Sequence, residues 1–311
     1  MKRVLAPMAT LSHEALRILI NRWGDPDEYF SEMIHAPSFI AGGHFEPYYV
    51  RTSPSPELMV WQLTGKEAES MAIAAEMLQS YGGIGIDLNM GCSAPDIFKT
   101  GAGIAWMLKP EEEVVALVRG VRKKVAGRLS VKMRLGEEEN YEKLKHFCSV
   151  LVDEGVELIT LHPRIKKDSY SRRPRWEHVA HLSSDLDIPI YGNGDVDTAE
   201  KADRIMSDFP CSGIMIGRAA VRTPWIFGDI EGKKREKIDH LEVSRLFLET
   251  LLTSQPSEFH ISRAHRFFFY YCENFTFAHH IKMRIQNAKT PEEIRGLLET
   301  YFEEVPGDRF L

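Results

Sequence analysis

A cysteine closing the run Asn89-Met90-Gly91-Cys92 is the sharpest chemical feature of this sequence. A thiol on such a turn is a candidate nucleophile, which needs a base and an orienting partner, or a candidate general acid, which must keep its proton until it is used. Cys148, on the apolar face of KLKHFCSVLV, reads instead as a small buried hydrophobe, and Cys211 and Cys272 read the same way. The four cysteines form no CxxC pair and no zinc spacing, so neither a disulfide framework nor a structural metal site is expected.

Cationic side chains repeat at a spacing of two. Lys132 and Arg134 would share one face of a strand, and His162 and Arg164 repeat the arrangement further along. Two glycine-rich turns follow, Gly192-Asn193-Gly194-Asp195 and Gly217-Arg218. Glycine lets a backbone approach a phosphate closely, and arginine binds its oxygens in pairs. A phosphorylated ligand is therefore expected.

The elements that must position these groups are legible as alternating patterns. Strands are expected at 3–9, 29–34, 58–65, 83–91, 129–136, 158–164, 188–195 and 213–218, with helix-period segments at 12–23, 66–81, 110–125, 140–155 and 197–209 between them. Ser12 and Pro110 suit the starts of two of these helices, as does Thr64 or Gly65 ahead of another. Eight strands alternating with helices match an α/β fold, the (β/α)8 TIM barrel. A doubly wound open sheet would carry a G-x-G-x-x-G turn after its first strand, where this chain has Pro7-Met8-Ala9. In a barrel the chemistry gathers at the C-terminal strand ends. Those ends hold Pro7, Met8, Glu32, Gln62, Asn89, Cys92, Lys132, Arg134, His162, Arg164, Asn193, Asp195 and Arg218. Loops after the seventh and eighth strands are the usual phosphate site, which suits GNGD and GR.

Beyond the charged stretch GKKREK the strands stop, and 240–255, 257–275 and 290–305 have helical periodicity. The expected division is a catalytic barrel over 1–235 and a small all-helical domain over 236–311. The chain has 311 residues, with 39 basic and 45 acidic side chains and a formal charge of −6. That excludes a protein basic throughout, but not a local basic patch. Arg263, Arg266, Lys282 and Arg284 outnumber Glu258 and Glu273 over 258–284. The aromatic run Phe267–Tyr271 is too continuous for a stacking surface and is expected to be mostly core. The start MKRVLAPMATLSHE does not read as a signal peptide, and no run approaches the roughly 18 apolar residues of a membrane span. A soluble, cytoplasmic monomer with no membrane contact is expected.

Taken in order, LAPMA (5–9), WQLTG (61–65), DLNMGC (87–92) with GAG (101–103), SVKMRLG (130–136), HPR (162–164), GNGD (192–195), and MIGRAA with TPWIF (215–227) resemble the tRNA-dihydrouridine synthase family. RAHRFFFYY and KMRIQNAKTPEEI extend the similarity into the tail, so it covers essentially the whole chain. The resemblance implies an FMN enzyme that reduces the 5,6 double bond of particular uridines in tRNA, with NADPH reducing the flavin. It makes Cys92 the donor of the proton to carbon 5. It assigns Pro7, Met8, Ala9, Gln62, Asn89, Lys132 and His162 to the flavin ring, and Asn193, Gly194, Asp195, Gly217 and Arg218 to its phosphate end. Arg134 and Arg164 at the rim, with Arg263, Arg266 and Arg284 in the tail, are the expected tRNA contacts. Ser93 stands where the family commonly has proline, and Asp96 where many members are basic. The competing readings are an FMN barrel oxidoreductase acting on a free pyrimidine-type metabolite, and a catalytically impaired family member that only binds RNA. Retention of Cys92, Lys132 and His162 argues against the second, and the helical tail argues against the first.

Overall fold

The computed structural model describes residues 1–234 and 236–311. Nine parallel strands are present among them: β1 (Lys2–Leu5), β2 (Glu28–Phe30), β3 (Ile34–His35), β4 (Met59–Thr64), β5 (Gly85–Met90), β6 (Arg128–Arg134), β7 (Leu158–His162), β8 (Ile190–Asn193) and β9 (Gly213–Ile216). β1 pairs with β2 and β9, and β2 pairs with β4, so eight strands close on themselves while β3 only extends the edge of β4. The expected (β/α)8 barrel is the fold.

Two differences from the expected elements have local causes. The strand expected at 29–34 breaks because Ser31 turns its hydroxyl to the Glu32 carbonyl at 2.8 Å while accepting the Gln62 N–H at 3.0 Å. The first strand ends at Leu5, because Pro7 has no N–H to continue the ladder. Beyond it, Ser12 closes a turn on Met8 rather than capping a helix: its hydroxyl accepts the Met8 N–H at 2.9 Å and donates to the Met8 carbonyl at 3.2 Å. The helix itself runs Glu14–Asn21. The helix Glu177–Asp185, after β7, is not among those the periodicity marks.

Alternation sorts each strand into an inner and an outer face. Leu5, Trp61, Leu63, Leu129, Val131, Ile159 and Leu161 pack outward in the main core beneath the helices. Val4, Ala6, Phe30, Val60, Leu158, Tyr191 and Met215 form a separate cluster inside the barrel. The interior is thus packed through its middle, and polar side chains occupy its ends.

After β9 and the short helices Arg218–Arg222 and Ile226–Ile230, the described residues form four longer helices: His240–Ser254, Ser257–Tyr271, Ala278–Asn287 and Pro291–Glu304. Asp239 caps the first, accepting the N–H groups of Leu241 and Glu242. Thr290 caps the last through the Glu293 N–H. Of the aromatic run, Phe267, Phe268 and Tyr271 are fully buried, with Phe267 stacked on Phe247 at 3.7 Å. The apolar core runs without interruption from the barrel helices into this tail. The expected domain boundary falls at Arg235, which lies outside the described residues.

Candidate active site

β6 presents Arg128, Ser130, Lys132 and Arg134 on one face, from the bottom of the barrel to its mouth. Ser130 donates to Asp87 on β5 at 2.7 Å, and Gln62 on β4 donates to the other oxygen of the same carboxylate at 2.7 Å. The Gln62 carbonyl in turn accepts from Asn89 at 2.8 Å. The Asn89 side-chain oxygen then takes the Cys92 N–H at 2.9 Å and the Gly91 N–H at 3.3 Å. One chain of hydrogen bonds therefore runs from the barrel interior to the turn that carries the thiol.

The turn is held from the other side by the GAG segment. Gly103 has φ +61, and a Cβ there would lie 2.5 Å from the Cys92 carbonyl oxygen. Only glycine fits, and the next residue, Ile104, donates its N–H to that carbonyl at 3.0 Å. Cys92 itself is half-buried at the rim. Cys148 and Cys272 are buried, as expected, and burial pushes the Cys148 thiol up to about 12. Cys211 is only half-buried.

Lys132 points into the mouth and makes no hydrogen bond or ion pair among the described residues. Burial pushes its ammonium down to about 8; Asp87 and Cys92 oppose that shift, and Arg134 adds to it. Burial pushes the Asp87 carboxyl up to about 6, opposed by the hydrogen bonds from Gln62 and Ser130 and by the charges of Lys132 and Arg128. His162 is held neutral by burial and then by Lys132, Arg134, Arg164 and Arg218. Its Nε2 lies 2.9 Å from an Arg164 guanidinium nitrogen, so that nitrogen is the acceptor and the proton sits on Nδ1. The hydroxyls of Thr64 and Thr160 are buried at the same end of the barrel without a partner among the described residues.

The glycine turns meet at the opposite side of the mouth. Asn193 donates to the Met215 carbonyl at 2.8 Å, tying β8 to β9. Gly194 has φ +140, and Asp195 also has a positive φ. The Asp195 carboxylate receives Arg164 at 2.6 Å and Arg218 at 3.2 Å. Arg218 keeps its remaining donors toward the rim, its side chain 40% exposed and its guanidinium 4.3 Å from the Tyr170 ring. Met8 reaches the same place, its sulfur 3.5 Å from where Gly217 would carry a Cβ. Pro7 and Met8 are half-buried and Ala9 is exposed.

Three arginines expected to meet tRNA are placed otherwise. Arg164 is fully buried and spends its donors on His162, Asp195 and the carbonyls of Tyr170 and Arg172. Arg134, also buried, donates to the carbonyls of Ile165 and Asp168. Both hold the loop after β7 rather than reaching solvent. Arg263 is buried against Glu32 in an ion pair of 2.8 Å. Arg266 is exposed and Arg284 half-exposed, so those two remain available to a partner. Ser93 is half-buried beside the thiol, and Asp96 is exposed on the short helix Pro95–Lys99.

Asp87 and Tyr170 belong to the site and are not singled out by sequence. Asp87 has a signal, since it lies two residues before Asn89 and must share its inward face. Tyr170 sits in an irregular loop, where no periodicity marks it.

The Dihydrouridine synthase (Dus) family model matches residues 4–306. The tRNA-dihydrouridine synthase B of Pseudomonas syringae pv. tomato is 30% identical over 253 residues, which cover 80% of this chain and 74% of that protein. The tRNA-dihydrouridine(16) synthase of Neisseria meningitidis serogroup A is 29% identical over 321 residues, covering 97% and 95%. Among solved structures, a 2-naphthoyl-CoA reductase complex aligns with a TM-score of 0.57 over 75% of this chain and 50% of that one. At 11% identity that is a likeness of fold alone.

Proposed function

The chain belongs to the dihydrouridine synthase family, and from that premise we propose that it reduces the 5,6 double bond of uridines in tRNA, with FMN as resident cofactor and NADPH as electron source. The observation that carries the reading is the thiol of Cys92, fixed at the mouth by Asn89 and Gly103 on the side from which Lys132 projects unpaired.

The residues present fit a flavin mononucleotide. An unpaired ammonium at the mouth suits an anionic reduced ring, and neutral His162 and the partnerless hydroxyls of Thr64 and Thr160 are polar atoms awaiting a ligand. Arg218, with donors free at the rim beside Asn193 and Gly194, suits the phosphate. When bound, FMN supplies a hydride to carbon 6 of the uracil.

The protein's own part is to hold and deliver a proton. Cys92 Sγ donates its proton to carbon 5 and is left as the thiolate. Lys132 stabilises negative charge nearby, and a proton from solvent restores the thiol. The target base must leave the tRNA stack to reach the mouth, which costs a few kcal/mol. In this reading residues 1–235 carry the chemistry, residues 236–311 hold tRNA through Arg266 and Arg284, and the protein works as a cytoplasmic monomer.

Purified protein should show a flavin absorption spectrum and, given NADPH, introduce dihydrouridine into tRNA from cells lacking the gene. A flavin-containing protein that reduces free uridine and leaves tRNA unchanged would favour the metabolite oxidoreductase instead. For the tail, Arg266→Ala with Arg284→Ala should weaken tRNA binding and lower the slope of log affinity against log salt by about 1 for each phosphate no longer neutralised. An unchanged titration would move the RNA surface to the barrel rim.

A further inference from the structure

A single carboxylate joins the helical tail to the segment at the rim. Glu32, just beyond β2, is 3% exposed. Its Oε1 accepts the Thr10 N–H at 2.6 Å, and its Oε2 accepts Nη1 of Arg263 at 2.8 Å. Arg263 lies on the helix Ser257–Tyr271, 231 positions along the chain, with the Phe259 ring 4.8 Å from its guanidinium. The neighbouring Arg17, also buried, donates to the carbonyls of Ser12, Arg51 and Ser53, which leaves the Glu32 carboxylate to Thr10 and Arg263.

That acceptor meets the amide of Thr10, an exposed residue in an uncommon backbone conformation. Its φ is +63, a conformation that a β-branched residue adopts only under constraint. The Ser12 hydroxyl closes the turn on Met8, but among the described residues the Thr10 amide is held by the Glu32 carboxylate. Burial raises the Glu32 carboxyl above its ordinary range, and Arg263 is the largest influence opposing it. A buried ion pair is often no more stabilising than well-packed apolar side chains. What it supplies here is direction: the carboxylate is held with one oxygen aimed at a strained amide.

We propose that Glu32 is a positioning residue: oriented by Arg263 of the tail, it fixes the Pro7–Thr10 segment at the barrel mouth and so shapes the cofactor site without touching cofactor or substrate. The proposal rests on the FMN reading above. It makes the tail a contributor to the flavin site as well as a surface for tRNA.

Two double variants that remove both charges of the pair isolate the interaction, with Arg17 and Glu14 left the same in each. Glu32→Gln with Arg263→Met retains an oxygen for the Thr10 amide, whereas Glu32→Met with Arg263→Met removes it. Both are compared with wild type, as full-length holoprotein, by hydrogen exchange of the peptide spanning 7–12 and by FMN release on dilution. The second variant should exchange faster over that peptide and bind FMN roughly tenfold more weakly than the first, the scale of one absent hydrogen bond. Their melting temperatures should be similar. Equal exchange, or equal FMN affinity, in the two variants overturns the proposal. A wild-type protein that binds no FMN overturns the cofactor reading itself, a result distinct from either comparison between variants.

Discussion

The two ends of the barrel interior use the same residue types to opposite effect, and a single strand shows it. At the bottom of β6, Arg128 meets Glu28 through two hydrogen bonds of 2.8 and 2.6 Å, and the Tyr191 hydroxyl adds a third to the same carboxylate at 3.2 Å. Four residues further along the same face, Lys132 has no ion pair among the described residues. Both cations are half-buried. One is matched within the chain and closes the barrel, while the other, in the proposed reading, is the charge that meets the reduced flavin. Position along the strand therefore separates structural from functional charge, as expected for a fold whose chemistry gathers at one end.

The largest expected effect is at the top. Cys92→Ala should retain flavin and its reduction by NADPH, yet lower dihydrouridine formation by about 10²–10⁴-fold, the usual scale for a missing general acid. Oxygen can drain electrons from a bound flavin, so the modified base must be measured rather than NADPH consumption. Wild-type dihydrouridine formation in the variant would make Cys92 a packing residue.

At the bottom the signs should be reversed. Arg128→Met strands the Glu28 carboxylate, 2% exposed, with the Tyr191 hydroxyl as its one side-chain partner among the described residues. Stability should fall by about 3 kcal/mol in denaturant titration, while turnover per folded molecule stays unchanged. Adding Glu28→Gln removes the stranded charge and should recover most of the deficit. A turnover defect that survives this second change would show that the two ends are not independent.

Lys132→Met should give a smaller and opposite stability change. Because the ammonium is held at about 8, below its ordinary 10.5, the unfolded chain binds more protons than the folded one between those values. The residue therefore costs stability below pH 8, and the cost is relieved as the pH rises toward 10.5. Removing it should raise the melting temperature at pH 7 by roughly 2–4 °C, with the gain shrinking toward pH 10.5, while FMN binds more weakly. A variant less stable at pH 7 would show that Lys132 is paired in solution.

Much of this division is legible in the sequence, because period-2 alternation identifies inward residues once a strand is recognised. Lys132 emerges that way beside Arg134, Gln62 and Asn89 emerge as polar residues at strand ends, and Arg128 escapes because the expected strand begins at 129. Long-range pairing is not legible. Glu32 stands out as a strand-end polar residue, but nothing local shows that its partner lies at Arg263. Arg263 and Arg266, three apart, are expected to share an exposed face. The edge of the buried face falls between them, leaving Arg263 2% exposed and Arg266 in solvent. Helical spacing sets the angle between two side chains, about 60° here, but not where the neighbouring helix begins.

The smallest expected effect is at Cys148, which tests whether burial alone distinguishes the thiols. Cys148 lies beneath β6 on its outer side, fully buried, with its sulfur 3.7 Å from that of Met133. Burial holds its thiol at about 12, so it carries its proton at any physiological pH and offers no thiolate for chemistry. Cys148→Ala removes one sulfur from a packed layer and should cost about 1 kcal/mol of stability, with dihydrouridine formation as in wild type. Met133 immediately precedes Arg134, and its strand carries Lys132 on the opposite face. If emptying the space beneath it slowed uridine reduction, packing outside the barrel would be setting the geometry at the mouth. The contrast between the two cysteines would then be one of degree rather than of kind.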